Sequence, residues 1–326
     1  MEVHAEAPPI DLHADPLLWA RLVGYDLTIH HRPPLPWALL GGHVDVPRMR
    51  EGGMGGQFFG LVSLPYLDRD LTAVCDRQID LLETAVARSG GQLRLVRSAR
   101  ELEAARADGA IAAMLGMEGA HSLRGRVEEL DRFAGRGVRY LGLLHFSANE
   151  CGAPAYGKGA DPDRGLTELG ARVVARCEEL GVIVDLAHIN RRGFMDVCAM
   201  AKRPPIVSHT GVTGVHRMWR NIDDEQLRAV ADLGGAVGVI FCPRFLGGDG
   251  IGAVVDHLLH IARVAGEDTP ALGSDWDGFI RPTRGLEEAS RLPALTEALL
   301  ARGLARGAIR KLLRGNIVRV MGEVCP

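Results

Sequence analysis

Eight short, almost unbroken apolar runs recur along this chain of 326 residues, and segments with helical periodicity separate most of them. They read IDLHAD (10–15), GGQFFGLVSL (55–64), AIAAMLGMEG (110–119), YLGLLHFS (140–147), GVIVDLAH (181–188), PPIVSH (204–209), GGAVGVIF (234–241) and TPALGSDWDG (269–278). A strand buried on both faces has no polar side to alternate with, so such runs interleaved with amphipathic helices indicate a parallel sheet covered by helices. Eight units predict an α/β fold of the closed (β/α)8 TIM-like barrel type, a single domain over residues 1–326. The alternative, an open doubly wound sheet, lacks its Gly-rich dinucleotide fingerprint after the first strand. In GLTELGARVVARCEELG (165–181), Leu166, Leu169, Val173, Cys177 and Leu180 share one helical face before Gly181 stops it. Further helices are predicted over 71–90, 225–234, 252–266 and 306–322, and an irregular excursion over 28–55.

Bulk properties exclude several classes of function. A content of 47% hydrophobic and 24% charged residues is enough for a large core. The net charge of −3, with Lys and Arg scattered, leaves no footprint for nucleic acid or an anionic membrane surface, so small molecules are the expected partners. Six widely spaced cysteines without a C-x-x-C pair argue against zinc fingers and a disulfide framework, and predict reduced, mostly buried thiols. No signal-like N-terminus or membrane-length apolar stretch is visible, which makes the cytoplasm the expected compartment. Oligomeric state is open, a homodimer being compatible with everything above.

The polar residues within the runs carry the chemistry. His13 and Asp15 end the first, Glu118 ends the third, His145 lies late in the fourth, His188 and His209 end the fifth and sixth, and Asp275 comes late in the eighth. All fall at C-terminal strand ends, the face of a β/α barrel where active sites are built. On a strand His13 and Asp15 point the same way. Imidazoles and carboxylates without thiolates suit zinc, with manganese, cobalt or iron as alternatives. There are donors for two ions: His13 and Asp15 on one, His188 and His209 on the other, with Glu118 bridging. Such a pair can hold a shared hydroxide for hydrolysis.

The motifs GMEGAHS, GARVVARCEELGVIVDLAH, PPIVSHTG, RNIDDE and LGSDWDG, with MGGQFFG at the second strand, resemble in order those of the membrane dipeptidase (renal dipeptidase) family of the amidohydrolase superfamily. The resemblance spans nearly the whole chain. It implies two zinc ions on His13, Asp15, Glu118, His188 and His209, and proton transfer by Asp275. It also implies that His145 contacts the scissile carbonyl oxygen and Arg220 the substrate's terminal carboxylate. The implied activity is hydrolysis of dipeptides, with an L- or a D-residue at the C-terminal position. Leu144 stands where the family commonly has Thr, and the following loop diverges; Asn149 and Tyr156 in that loop are candidate substrate contacts. The signal and anchor segments of the family's membrane members are not seen.

Several residues mimic a site. His43 and Asp45 repeat the His-x-Asp pattern, but the next strand follows too soon for a crossover helix, so His43 is expected to be structural or pocket-lining. His121 is read as a loop or second-layer residue, Asp277 as a loop cap or site contact, and Asp185 as facing away from the site. His30, His31, His257 and His260 are expected to be structural or solvent-facing. Two rival functions remain at this level: another amidohydrolase-type reaction on a lactone or amide, and a catalytically silent metal-binding accessory protein.

Overall fold

The computed structural model describes residues 2–31 and 40–326. Nine parallel strands form one sheet: β1 (Ile10–Ala14), β2 (Gly56–Val62), β3 (Leu93–Leu95), β4 (Ile111–Glu118), β5 (Val138–Gly142), β6 (Ile183–Asp185), β7 (Ile206–Thr210), β8 (Ala236–Val239) and β9 (Pro270–Leu272). β2 pairs along its whole length with β4, from Gly56 opposite Ala112 to Val62 opposite Glu118, and β1 pairs with both β2 and β9. The sheet therefore closes into an eight-stranded barrel wrapped in helices, as the alternation predicts. The extra strand, β3, was not read from the sequence; it lies alongside the start of β4, outside the closure.

Three apolar runs overstate their strands by three residues or more, and the first by one, since β1 ends at Ala14 and Asp15 lies just beyond it. The runs at 140–147, 181–188 and 269–278 leave extended structure at Gly142, Asp185 and Leu272, so His145, His188 and Asp275 sit on loops just beyond. The backbone shows why at two of them. His188 and Asp275 have φ of +66° and +61°, a left-handed conformation that no strand accommodates. The excursion is only partly described: residues 32–39 lie outside the described residues, and Val46–Glu51 forms a short helix whose N-terminus Asp45 caps through Arg48 N.

The predicted C-terminal helix over 306–322 is interrupted. Arg306–Arg310 and Asn316–Val324 are joined by a wider π-type turn, Lys311–Gly315. Beyond the turn, Ile317, Val320, Met321 and Val324 share a helical face that packs with interior residues such as Ile10, Leu12, Phe58 and Met114. This helix closes the end of the barrel opposite the active face. The Asn316 amide donates to Glu267 O and Pro270 O, both at 2.9 Å, which ties it to the start of β9. Five cysteines are buried and Cys198 is half-buried, all as free thiols. No described helix is long and apolar enough to cross a membrane.

His257, on the helix Ile251–Ala265, is structural as expected and carries a consequence for pH. Its buried ring accepts from Val212 N–H at 2.9 Å through Nδ1 and donates to Leu246 O at 3.1 Å through Nε2. Only the neutral ring keeps both bonds. Burial, with His216 and His260 adding to it, lowers its pKa from 6.5 to about 4. The unfolded chain thus binds more protons in that window, and stability falls as pH drops from about 6.5 to about 4. In denaturant titrations at pH 7 and pH 5, His257→Gln is expected to lose about 2 kcal/mol less than the parent, at roughly 1.4 kcal/mol per pH unit. Parallel losses would show that His257 does not carry this dependence.

Candidate active site

At the C-terminal mouth of the barrel, Asp15, Glu118, His145, His188, His209, Arg220 and Asp275 line a cavity of about 180 Å³. His13 lies against its floor, with Nε2 3.3 Å from Asp15 Oδ1, 3.7 Å from Glu118 Oε1 and 3.9 Å from Asp275 Oδ1. Glu118 is the hub. Its Oε1 is 2.9 Å from His188 Nε2 and 3.4 Å from His209 Nε2, while Oε2 is 3.5 Å from His145 Nε2. His13 and His209 stack with ring centroids 4.1 Å apart.

Local irregularities aim these side chains. Between Asp11 and Ala14 the pairing of β1 with β2 gains one residue, and β7 does the same against β8 between Val207 and Thr210. An extra residue in one strand re-aims the side chains beside it. The two slips fall at His13 and His209. The left-handed backbone at His188 and Asp275 is uncommon for non-glycine residues, and such strain concentrates where a side chain must be held for function.

The charges do not balance among the protein's own groups. Burial, reinforced by Asp15 and Asp275, raises Glu118 well above the usual carboxylate range. Burial, reinforced by Asp15, pushes Asp275 up to about 8 against the pull of His13 and Arg220. Burial works against charge on His13, yet Asp15, Glu118 and Asp275 together outweigh it and raise the ring to about 10. Burial also drives His145 down to about 3 and lowers His188 and His209 far below 6.5, with Arg220 and neighbouring imidazoles contributing. Neutral imidazoles beside crowded carboxylates are the donor set that divalent cations satisfy.

Two atoms test that fit directly: His13 Nε2 and Asp15 Oδ1, 3.3 Å apart, are buried and make no hydrogen bond among the described residues. The nitrogens His188 Nε2 and His209 Nε2 face each other at 3.0 Å. Among the described residues, three overlapping groups could each hold an ion: His13, Glu118 and His209; Glu118, His145 and His188; and His13, Asp15 and Asp275. The residues present fit a metal centre.

Sequence reasoning missed the layer behind these donors. Tyr140 Oη lies 2.6 Å from His13 Nδ1, and Ser208 Oγ lies 2.8 Å from His209 Nδ1 while donating to Asp185 Oδ2 at 2.6 Å. A hydrogen on each Nδ1, donated to these oxygens, leaves each Nε2 lone pair free for a metal. Asp185 itself points away from the cavity, as expected, but reaches the site through Ser208. Asp11 holds Ser274 in a similar way, accepting from its N–H and its hydroxyl, both at 2.7 Å.

The remaining candidates lie elsewhere. Asn149 gives its amide to Leu143 O and accepts from Cys151 N–H, so its side chain shapes the loop and lines no described cavity at the mouth. Tyr156 is exposed and stacks on Trp219 at 4.4 Å, beside an outer chamber. His121 bonds Ser147 within the loop. His43 and Asp277 pin the excursion to the loop after β9: the Asp277 carboxylate accepts from His43 N–H and Val44 N–H, and Asp277 N–H donates to His43 Nδ1. His30 faces Glu51, His31 stacks on Tyr25, and His260 bonds Asp224, all away from the cavity.

Comparison with known proteins decides the family. The model of the membrane dipeptidase family (Peptidase family M19) matches residues 1–325. The chain belongs to this family. As a member it is a metallo-dipeptidase, and its barrel is that of its relatives. An uncharacterized dipeptidase of Schizosaccharomyces pombe is 34% identical over 299 residues, covering 86% of this chain and 72% of that protein. A metallopeptidase from Rhodobacter sphaeroides, crystallised with a phosphinate mimic of the dipeptide L-Ala-D-Ala, is 29% identical with a TM-score of 0.84, covering 97% of this chain and 99% of that one. The crystal structure of the metallopeptidase named dipeptidase AC is 30% identical with a TM-score of 0.85, covering 98% of each chain.

In this metallo-dipeptidase the second strand makes room for the first. A Cβ on Gly60 would overlap Asp15 Oδ1 and come 3.1 Å from His13 Cε1. Because Oδ1 is the end of a short side chain, Asp15 would swing away and the fold would stand. Gly60→Ala is therefore expected to show a native circular dichroism spectrum but reduced metal content by atomic spectroscopy. Unchanged metal content would mean that Asp15 is not a required ligand.

Proposed function

We propose that this metallo-dipeptidase uses two zinc ions, His13 and Asp15 holding one, His188 and His209 the other, with Glu118 shared between them. Other divalent first-row metals are alternatives. When bound, the metal pair supplies a nucleophilic water near neutral pH and Lewis acidity at the carbonyl. The residues do the rest. Asp275 takes a proton from the attacking water and returns it to the departing amine. His145, held neutral by burial, donates through Nε2–H to the oxygen on which charge grows. Arg220 is the observation that carries the substrate assignment. It is a buried guanidinium lining the same small cavity, anchored by Nη2 to His209 O at 2.7 Å. Its remaining donors suit a carboxylate held bidentately, so the enzyme measures where the substrate ends.

The proposed substrates are L,L-dipeptides and dipeptides with a D-residue at the C-terminal position. The ligand of the Rhodobacter sphaeroides relative supports including the latter. The test is amino acid release from L,L- and L,D-dipeptides, amidated dipeptides and tripeptides by zinc-loaded protein, with zinc per chain measured on the same sample. Release from free dipeptides alone is expected. If protein carrying two zinc ions releases nothing, the proposal falls in favour of lactone or amide hydrolysis or a silent accessory role.

A further inference from the structure

Next to the catalytic cavity lies a larger chamber of about 610 Å³. Phe146, Phe245 and Phe279 line both, so the two adjoin and share a wall. One wall is an aromatic array. Trp219 stacks on Tyr156 at 4.4 Å and meets Phe146 and Phe245 edge-on at 6.3 and 5.7 Å.

The charged side chains lining this chamber, among the described residues, are Arg244 and Arg281; no carboxylate lines it. Arg281 leans on Asp249 at 3.2 Å. Arg244 is exposed and has no ion-pair partner among the described residues. A cation at the rim of a chamber walled by aromatic rings is less screened than one in open water, and the ring faces add no competing anion.

Arg220 lies in the inner cavity and lines no part of the outer chamber. With the C-terminal carboxylate on Arg220, the outward end of a dipeptide is its N-terminal residue. We propose that the outer chamber is a subsite for an acidic N-terminal side chain, with Arg244 as the residue that reads its charge. This rests on the dipeptidase reading above. Bulk alone would be served by the aromatic wall; the unbalanced positive charge is what selects a carboxylate over an amide or an ammonium group.

The test is kcat/KM for Glu-Ala, Gln-Ala and Lys-Ala at low and high salt, with the parent, Arg244→Gln and Arg244→Glu. The parent is expected to prefer Glu-Ala over Gln-Ala by about 5-fold, the upper range of an exposed ion pair, and to handle Lys-Ala worst. Screening at high salt shrinks the spread. Arg244→Gln flattens the order and Arg244→Glu inverts it. Each protein serves as its own control, because only ratios between substrates are read. Equal rates on all three substrates in the parent, or an order unchanged by Arg244→Glu, overturn the subsite while the dipeptidase reading stands. Cleavage of none of them overturns both.

Discussion

Asp275→Asn is expected to lower kcat on a dipeptide by about 10²- to 10⁴-fold, the usual contribution of a positioned acid–base group, with metal content unchanged. The substitution isolates the proton. Asn keeps the shape of the side chain and, with Asp, is among the non-glycine residues that tolerate the left-handed backbone recorded here at φ +61°. Asp275 is also close enough to His13, at 3.9 Å, to be a ligand in its own right. Kinetics and metal analysis on one preparation separate the two roles. Loss of turnover with metal retained supports proton transfer, whereas loss of both identifies Asp275 as a ligand. Turnover within a few-fold of the parent would remove Asp275 from the mechanism.

Glu118→Gln should act in the opposite sense on binding and on stability. The carboxylate lies within 4 Å of the Nε2 atoms of His13, His145, His188 and His209. Its loss is expected to abolish stoichiometric metal binding and, with it, activity. The stabilisation that metal confers on the parent, about 4 kcal/mol when free metal is 1,000 times its Kd, should vanish too. In chelator the order reverses. Burial and the charges of Asp15 and Asp275 disfavour an ionised Glu118, so the neutral amide relieves the apoprotein and its unfolding midpoint should match or exceed the parent's. Thermal unfolding of both proteins with zinc and with chelator checks this. A midpoint that falls in chelator, or a variant that still gains stability from zinc, would count against Glu118 as the shared ligand.

Much of this molecule was legible in the chain. Continuous apolar runs alternating with helical patterns depend on local periodicity, and the barrel followed from them. His13, Glu118 and His209 stood out as donor candidates because a polar residue late in a buried strand has little other reason to be there, and Asp15 follows β1 directly. The His-x-Asp pattern at His43 was set apart by spacing, since only the six-residue helix Val46–Glu51 fits before Gly56. Asp275, His145 and His188 reach the same cavity as expected but from loops rather than strands, because an apolar run carries no mark of where the strand ends or the backbone turns left-handed.

What only the tertiary structure decided is whatever depends on chain segments far apart in sequence. Tyr140 reads as one more buried residue of β5 until the closed barrel sets its hydroxyl against His13, 127 positions away. Ser208 and Asp185 are unremarkable alone and become a hydrogen-bonded string only when β6 and β7 pair. The one-residue slips in β1 and β7 exist only relative to a partner strand. Gly60 is small because of Asp15, which lies just past the end of another strand, β1. Which residues could be donors was thus a matter of residue type and local period. Where their lone pairs point was settled by strand register and by hydrogen bonds across the closed barrel.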